Sequence, residues 1–437
     1  MPDLDRLRLL WGRLHQTLWW RPALWSVGAV AVAVASAIAD QWVPVDWLPR
    51  VNADVVDDLL RIMASSMLVV STFALSVLAS AYASAANAGT PRATRLVVAE
   101  PRSQKAVAVF LAAFIFSMVG VIAMGVGQYG PAGRLVLFAS ALGVLAWVIV
   151  SFMSYIDVLS RIGQVAHTIA TVERAAWQAL EQHARQPLSG ALAAEGPPQG
   201  AWPVHATRTG HVQFVDVQAL QTLAEAHEAR VHVSARPGDL VHPAAALAWL
   251  SASPDAPGPP GEPLASAVRD AFVVGPERTI EQDAGYGLIV LAEIAQRALS
   301  PAVNDPGTAI AVLGSQTRLL VRTLATPPDP DADRFHRVSA VAAPLEALVV
   351  LAYEPIARNG LDHDEVIHQL LRHLEALMLN APPGVIDQAR ALVRNTLARA
   401  ERAGADAVDL QGWRKLAREL DQQVPMETPD RTATGCP

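Results

Sequence analysis

The strongest constraint on this chain is where its charge is missing. Four stretches, 23–39, 62–86, 106–127 and 135–156, contain no Asp, Glu, Lys, Arg or His. Each is close to the ~20 helical residues that a bilayer core requires, so the spacing predicts four transmembrane helices. The segments between them carry charge of alternating sign. Arg6, Arg8, Arg13 and Arg21 precede the first span. The 40–61 loop holds Asp40, Asp46, Asp54, Asp57 and Asp58 against Arg50 and Arg61. Arg92, Arg95, Arg102 and Lys105 then follow the second span, and only Arg134 precedes the fourth. By the positive-inside rule, the N-terminus, the 87–105 loop and all residues after 156 are expected in the cytoplasm beneath a bacterial inner membrane. "ASAIAD" (35–40) has the small-residue look of a signal-peptidase site. The polar lead of residues 1–22 and the Trp19–Trp20 pair favour a retained first span.

The rest of the chain reads differently. Residues 157–202 give a charged connecting helix to about 183 and a linker, "QPLSGALAAEGPPQGAWP". Residues 203–275 are a small β-rich module: "GHVQFVD" alternates like a strand, "VQALQTLAEAHE" has helical spacing, and "RVHVSA", "AAALAWL" and "AFVVG" read as further strands. A solvated loop is expected over 251–263. Residues 276–423 are expected to form a helical domain. In it, Thr279 and Gln282 fit a capping box that opens a helix reaching Leu299. Asp305 before Pro306 fits an N-cap with proline at the first helical position, and that helix should run to about Leu324. Further helices are expected at 334–357, 363–379, 385–402 and 406–421, with a disordered tail over 424–437. The fold class expected is thus a four-helix transmembrane domain joined to a cytoplasmic α+β region.

Composition removes several functions. The net charge of -7 leaves no basic footprint for nucleic acid. The single cysteine, Cys436, excludes an intrachain disulfide and a Cys-based zinc site. No phosphate-binding loop, nucleophile elbow, H-E-x-x-H or C-x-x-C pattern occurs, so catalysis is the least supported class and no cofactor is implied. Asp364, His368 and Arg372 are spaced four apart, but the polar faces of ordinary helices look the same, and no metal site is assigned.

"TPR" (90–92), "GHVQFVD", "RPGDLV" (236–241), "VGPERTIEQD" (274–283) and "RALSPAVNDPGTAI" (297–310) together resemble a bacterial family of predicted membrane proteins, domain of unknown function 2254. The resemblance runs in order over nearly the whole chain. It implies a multi-span membrane protein with a soluble C-terminal part, and it implies no activity. The motif positions include Thr90, Pro91 and Arg92, Gly238 and Asp239, then Arg278, Thr279, Gln282 and Asp283. The final set is Arg297, Ala298, Leu299, Ser300, Pro301, Asn304, Asp305, Pro306 and Thr308. Ala302 stands where the family usually has glycine. Separately, 210–250 is similar to barrel-sandwich hybrid modules of the biotinyl type. With no lysine between Lys105 and Lys415, a swinging-arm role is excluded and a structural module remains.

Three constellations stand out. Thr72, Ser76, Ser80 and Ser84 recur every four residues in the second span and so share one helix face. That face either packs tightly, its hydroxyls bonding back to their own helix, or lines a wet path for small ions. Asn87, Thr90, Arg92 and Arg95 sit at the cytoplasmic mouth, as an anion site or as ordinary positive-inside anchoring. Arg278, Thr279, Gln282, Asp283, Glu293, Arg297, Ser300, Asn304, Asp305 and Thr308 form the soluble set. Two helix N-termini in it suit an anionic ligand, while a buttressed turn or a subunit contact also accounts for it. Gly285 and Gly287 inside the expected helix point to close backbone approach, with a neighbouring subunit as one source. Two functions follow as expectations. One is a homo-oligomeric channel in the lipid bilayer with a cytoplasmic assembly and gating domain. The other is a non-conducting sensor or scaffold that binds a ligand or a protein partner.

Overall fold

The computed structural model describes residues 20–38, 51–88, 90–93, 101–126, 130–161, 164–251, 259, 261–330, 335–379 and 381–423. The expected tail over 424–437 lies outside the described residues, as does most of the 251–263 loop. The chain divides into two compact units, Met1–Thr168 and Ile169–Pro437.

The first unit is helical: α1 (Trp20–Ile38), α2 (Ala53–Ala88), α3 (Pro101–Gly125) and α4 (Pro131–Arg161). Among the described residues three helical segments are long and apolar enough to cross a membrane: Ala53–Ser80, Lys105–Gly125 and Pro131–Asp157. The first expected span corresponds to α1, whose apolar run Ala23–Ser36 falls short of that length. Helix α2 starts nine residues before the expected span at 62. Its 36 residues extend about 54 Å, well beyond a bilayer core. The reason is local: Asp54 lies in the first turn, where the helix dipole favours it, and the Arg61 Nε donates to Asp57 at 2.6 Å across one turn. Charge that bars a segment from lipid does not bar it from a helix.

Apolar residues at helical spacing make the bundle's core. Val56, Leu60 and Met63 of α2 meet Phe116 of α3 and Leu137 and Ala141 of α4. One turn further along, Met67 and Ala74 meet Phe110, Val148 and Tyr155. The Tyr155 hydroxyl donates to the Ala74 carbonyl at 2.6 Å, which satisfies it in a water-poor interior.

The second unit opens with α5 (Val165–Arg185), of which residues from 169 belong to it. The strands β1 (Ala191–Ala193), β2 (Trp202–His205), β3 (Gly210–Val215), β4 (Arg230–Val233), β5 (Leu240–Val241), β6 (Ala246–Ser251), β7 (Phe272–Gly275) and β8 (Phe335–Ala340) follow. They form a mixed five-stranded sheet, β1-β8-β4-β6-β2, and an antiparallel three-stranded sheet, β5-β3-β7. Helix α6 (Val217–Ala226), capped by the Asp216 carboxylate on the Ala219 amide at 2.9 Å, and α7 (Glu262–Asp270) share their core.

This arrangement departs from the expected barrel-sandwich module in two ways. The linker supplies β1 and the start of β2, and β8 comes from 335–340, expected to be helical. Strand β8 runs parallel to both β1 and β4 and occupies the sheet between them. A small module ending at 275 would leave β4 unpaired along one side, and β8 removes that edge. Pro344 explains where the next helix starts, since a residue before proline disfavours helical torsions.

Helices α8 (Tyr286–Ala298), α9 (Pro306–Ala325), α10 (Leu345–Asn359), α11 (Asp364–Met378), α12 (Pro383–Ala403) and α13 (Ala407–Gln423) complete the unit. Gly287 of α8 has its reason within the chain. A Cβ there would collide with the Cβ of Ala176 on α5, so glycine permits two helices to touch. The expected close approach, with a neighbouring subunit as one source, is made within the chain by α5. Beside it the Arg318 guanidinium binds Glu173 of α5 at 2.7 and 2.9 Å, and the Arg322 guanidinium stacks 3.6 Å from the Trp177 ring. Deeper, the Thr317 hydroxyl meets the Tyr353 hydroxyl at 2.8 Å and the His373 Nδ1 at 3.0 Å. Asp364, one of the spaced metal candidates, accepts the Trp413 indole N–H at 2.8 Å and so belongs to helix packing.

Burial, aided by the Arg318 charge, pushes the His373 imidazole below its ordinary pKa, and burial does the same to His232. A lowered folded-state value means that the stability these groups contribute is complete above the unfolded pKa of about 6.5 and is lost as the pH falls below it. The unfolding midpoint of the detergent-solubilised chain should therefore be lower at pH 5 than at pH 7.5, by circular dichroism. The difference should shrink in His373→Gln. An equal acid loss in that variant would contradict the assignment.

Candidate functional site

The soluble set of ten candidates does not meet at one place. Asp305 is where local chemistry puts it: its Oδ1 accepts the Thr308 amide at 3.0 Å and its Oδ2 the Thr308 hydroxyl at 2.6 Å, capping α9. Those bonds hold the Asp305 carboxyl below the usual carboxylate range. Ser300 donates to the Arg297 carbonyl at 2.7 Å, and Asn304 takes the left-handed conformation at φ 51°. The Asp305 amide closes the turn on the Ala298 carbonyl at 2.8 Å. Ala302 is not among the positive-φ residues, so alanine in place of glycine brings no strain there. Arg297 and residues 301–305 are exposed, and Glu293 is half-buried. This is a capped junction at the C-terminal end of α8, about 20 Å along that helix from its start.

At the other end of α8 the remaining motif residues do converge. Arg278 grips Asp283 with two parallel bonds, Nε to Oδ2 at 2.7 Å and Nη2 to Oδ1 at 2.9 Å. The Asp283 Oδ1 also accepts the Gly285 and Tyr286 amides, each at 3.1 Å, and so serves the first turn of α8. Only 5% of the Asp283 side chain is exposed, against 28% for Arg278. Onto this pair settles the turn of "RPGD". Gly238, at φ +93°, comes so near that a Cβ would collide with Asp283 Oδ2 and lie 2.8 Å from Arg278 Nη2. Its amide donates to the Val212 carbonyl at 2.8 Å, and the Asp239 carboxylate accepts the Arg236 amide at 2.8 Å. Two sequence motifs some forty residues apart are thus one object.

Thr279 and Gln282 do not open a helix, because their side chains are engaged on β3. The Gln282 side-chain amide pairs with Val215 as a strand would, accepting its N–H at 2.9 Å and donating to its carbonyl at 3.4 Å. The Thr279 hydroxyl reaches the Gln213 carbonyl at 3.5 Å. Helix α8 consequently begins at Tyr286, six residues later than the capping-box reading places it.

A cavity of about 220 Å³ opens between these motifs, α5 and the start of α10. Its polar lining is Gln182, His183, Gln186, Ser189, Arg236, Asp239, Arg278, Gln282 and Asp283. Its walls are apolar, with Ala179, Leu188, Val215, Val233, Ala340, Val341, Ala347, Leu348 and Leu351 among them. A second cavity of similar volume shares Gln182, Gln186, Ser189, Val215, Val217 and Gln282 with it. Burial, with the nearby Arg236 charge, lowers the His183 pKa and favours a neutral imidazole. Sequence reasoning missed His183, Arg236 and the α10 wall. Arg236 stands immediately before a motif already singled out, and that adjacency was the available signal.

In the first unit, Thr72, Ser76 and Ser80 are exposed on α2, on the side away from Met67, Ala74 and Leu78. The Thr72 hydroxyl donates to the Leu68 carbonyl of its own helix at 2.9 Å. Helix α2 includes Ser84 and Asn87, whose side chains lie outside the described residues, as does Arg95 entirely. Thr90 is buried and its hydroxyl accepts the Ala93 amide at 3.3 Å, while Arg92 is exposed. No group of three or more His, Cys, Asp or Glu placed to hold a metal occurs among the described residues.

The sequence matches the family described as "Predicted membrane protein (DUF2254)" over residues 15–376. The chain belongs to this family. Uncharacterized proteins of Mycobacterium bovis and Mycobacterium tuberculosis are 28% identical to it over 277 residues, 60% of this chain and 51% of each relative. The chain spans about half the length of these curated relatives. No solved structure matches it. Within the family's matched region lie both the capped junction and the cavity with its Arg278–Asp283 pair.

Two glycine variants separate backbone strain from contact. Gly200, at φ +74° with no neighbour within 4 Å, should cost about 1 kcal/mol as Gly200→Ala, from strain alone. Gly238→Ala adds collision with the ion pair and should cost about 3 kcal/mol. Equal losses in denaturant unfolding would contradict the seating of "RPGD" on Arg278 and Asp283.

Proposed function

We propose that this DUF2254 protein is a multi-pass sensor of the bacterial inner membrane, whose α/β unit binds a small ligand. The observation that carries the reading is the cavity of about 220 Å³, walled by apolar side chains and edged by Arg236, Asp239, Arg278 and Asp283. A concave apolar site with a few convergent polar groups is the usual form of a small-molecule site. The charge distribution along the chain supports a cytoplasmic position for the N-terminus and for this unit. The test fills the cavity from its rim. Ala347 is exposed in the first turn of α10, so Ala347→Trp should leave the fold intact. A screen of small metabolites against the full chain in detergent should yield compounds that raise its melting temperature, an effect lost in Ala347→Trp. A blank screen, or stabilisation that survives the tryptophan, would contradict the reading.

A second reading is a homo-oligomeric channel with α2 lining the path and the α/β unit assembling and gating it. Support comes from the outward position of Thr72, Ser76 and Ser80, away from their own bundle. Exposed hydroxyls on an otherwise apolar span fit a wet path or a helix–helix contact better than bare lipid. Purified protein in planar bilayers should then conduct ions, with Ser76→Leu and Ser80→Leu reducing the current. Silence across salt, pH and tension would remove this reading.

A further inference from the structure

At the two motifs that edge the cavity, the Asp283 and Gln282 acceptors are engaged: Asp283 Oδ1 takes three donors and Oδ2 a fourth, and both ends of the Gln282 amide are held by Val215. Asp239 Oδ2 accepts the Arg236 amide and lies 3.6 Å from the Arg236 Nε. The donors are not. Within the described residues, Arg278 uses Nε and Nη2 on Asp283, and its Nη1 makes no bond. Neither terminal nitrogen of Arg236 has a hydrogen-bond partner there. Both arginines line the cavity, and the Asp283 pairing fixes the Arg278 guanidinium in position. The lining also includes hydrocarbon, from Val233, Leu348 and Leu351.

Resting on the ligand-binding reading above, we infer that the cavity takes a small amphiphilic anion. Its carboxylate or phosphate head would lie against Arg236 and Arg278, and its compact apolar body against the valine and leucine wall. An anion supplies the acceptors that these donors lack, and guanidinium binds planar carboxylates and phosphates with two bonds at once. A cation would find Asp283 wholly committed and Asp239 beside the Arg236 charge. Volume limits the body. A cavity of about 150 Å³ holds benzene, so 220 Å³ admits roughly ten non-hydrogen atoms, too few for a membrane lipid's acyl chains.

Four probes of nearly equal size test the class on the full chain in detergent, by calorimetry: phenylacetate, phenyl phosphate, phenylacetamide and phenethylamine. At least one anion should bind at least tenfold more tightly than the amide and the amine, and the preferred anion distinguishes a carboxylate head from a phosphate head. Arg236→Gln should weaken that anion tenfold or more, with Arg236→Lys recovering part of the loss. Circular dichroism should show both variants folded. Binding of the amide or the amine as tight as that of the anions would overturn the ligand class and leave the cavity reading standing. Binding that is indifferent to Arg236 would overturn the placement of the head. Silence from all four probes overturns the class, and the cavity reading falls with it only when the wider metabolite screen is blank as well.

Discussion

The architecture of the α/β unit turns on one buried carboxylate. Asp283 must be almost wholly removed from water to start α8, and an unpaired buried carboxylate is too costly to persist. Arg278 resolves this with two short parallel bonds, and the amides of Gly285 and Tyr286 complete the shell. The consequences spread outward. Because the pair occupies the space beside the 236–239 turn, only glycine fits at 238. Because Gln282 binds Val215, the segment before α8 is tied to β3 instead of continuing as helix. The cavity lies where these constraints meet.

What could be read from the sequence follows the range of the interactions. The Asp305–Pro306 start of α9 rests on bonds within four residues, and it stands where expected. Absence of charge over twenty residues is equally local, and α2, α3 and α4 follow from it. Strand β8 depends on an edge that β4 offers about a hundred residues earlier, and its own six residues say little. The capping-box reading of Thr279 and Gln282 failed for the same reason: the spacing was right, but β3 competes for the same side chains and wins. Gly287 illustrates a middle case. A costly glycine in a helix announces a close approach, yet only the fold reveals that Ala176 of the same chain makes it.

The helical unit shows a related division between satisfied and unsatisfied needs. The buried Tyr155 hydroxyl is matched inside it by the Ala74 carbonyl, while the Ser71 hydroxyl is buried without a partner among the described residues. The outward face of α2 has its Thr72 hydroxyl matched by its own backbone. Such a face can meet lipid without a large polar penalty, and it can also meet a like face or water. The chemistry of α2 alone therefore supports membrane residence more strongly than conduction, whereas the donors of Arg236 and Arg278 call for a partner the chain does not supply.

The central claim, that Arg278 and Asp283 act as one unit on which the site is built, is tested most directly by a double-mutant cycle. Arg278→Ala, Asp283→Ala and the double variant would be compared with the unaltered chain by denaturant unfolding of the α/β unit's signal in the full protein. The account predicts a coupling free energy of at least about 2 kcal/mol, as for groups in a shared buried network. Additive losses, with coupling below about 0.5 kcal/mol, would show that the two side chains are merely neighbours and would contradict it.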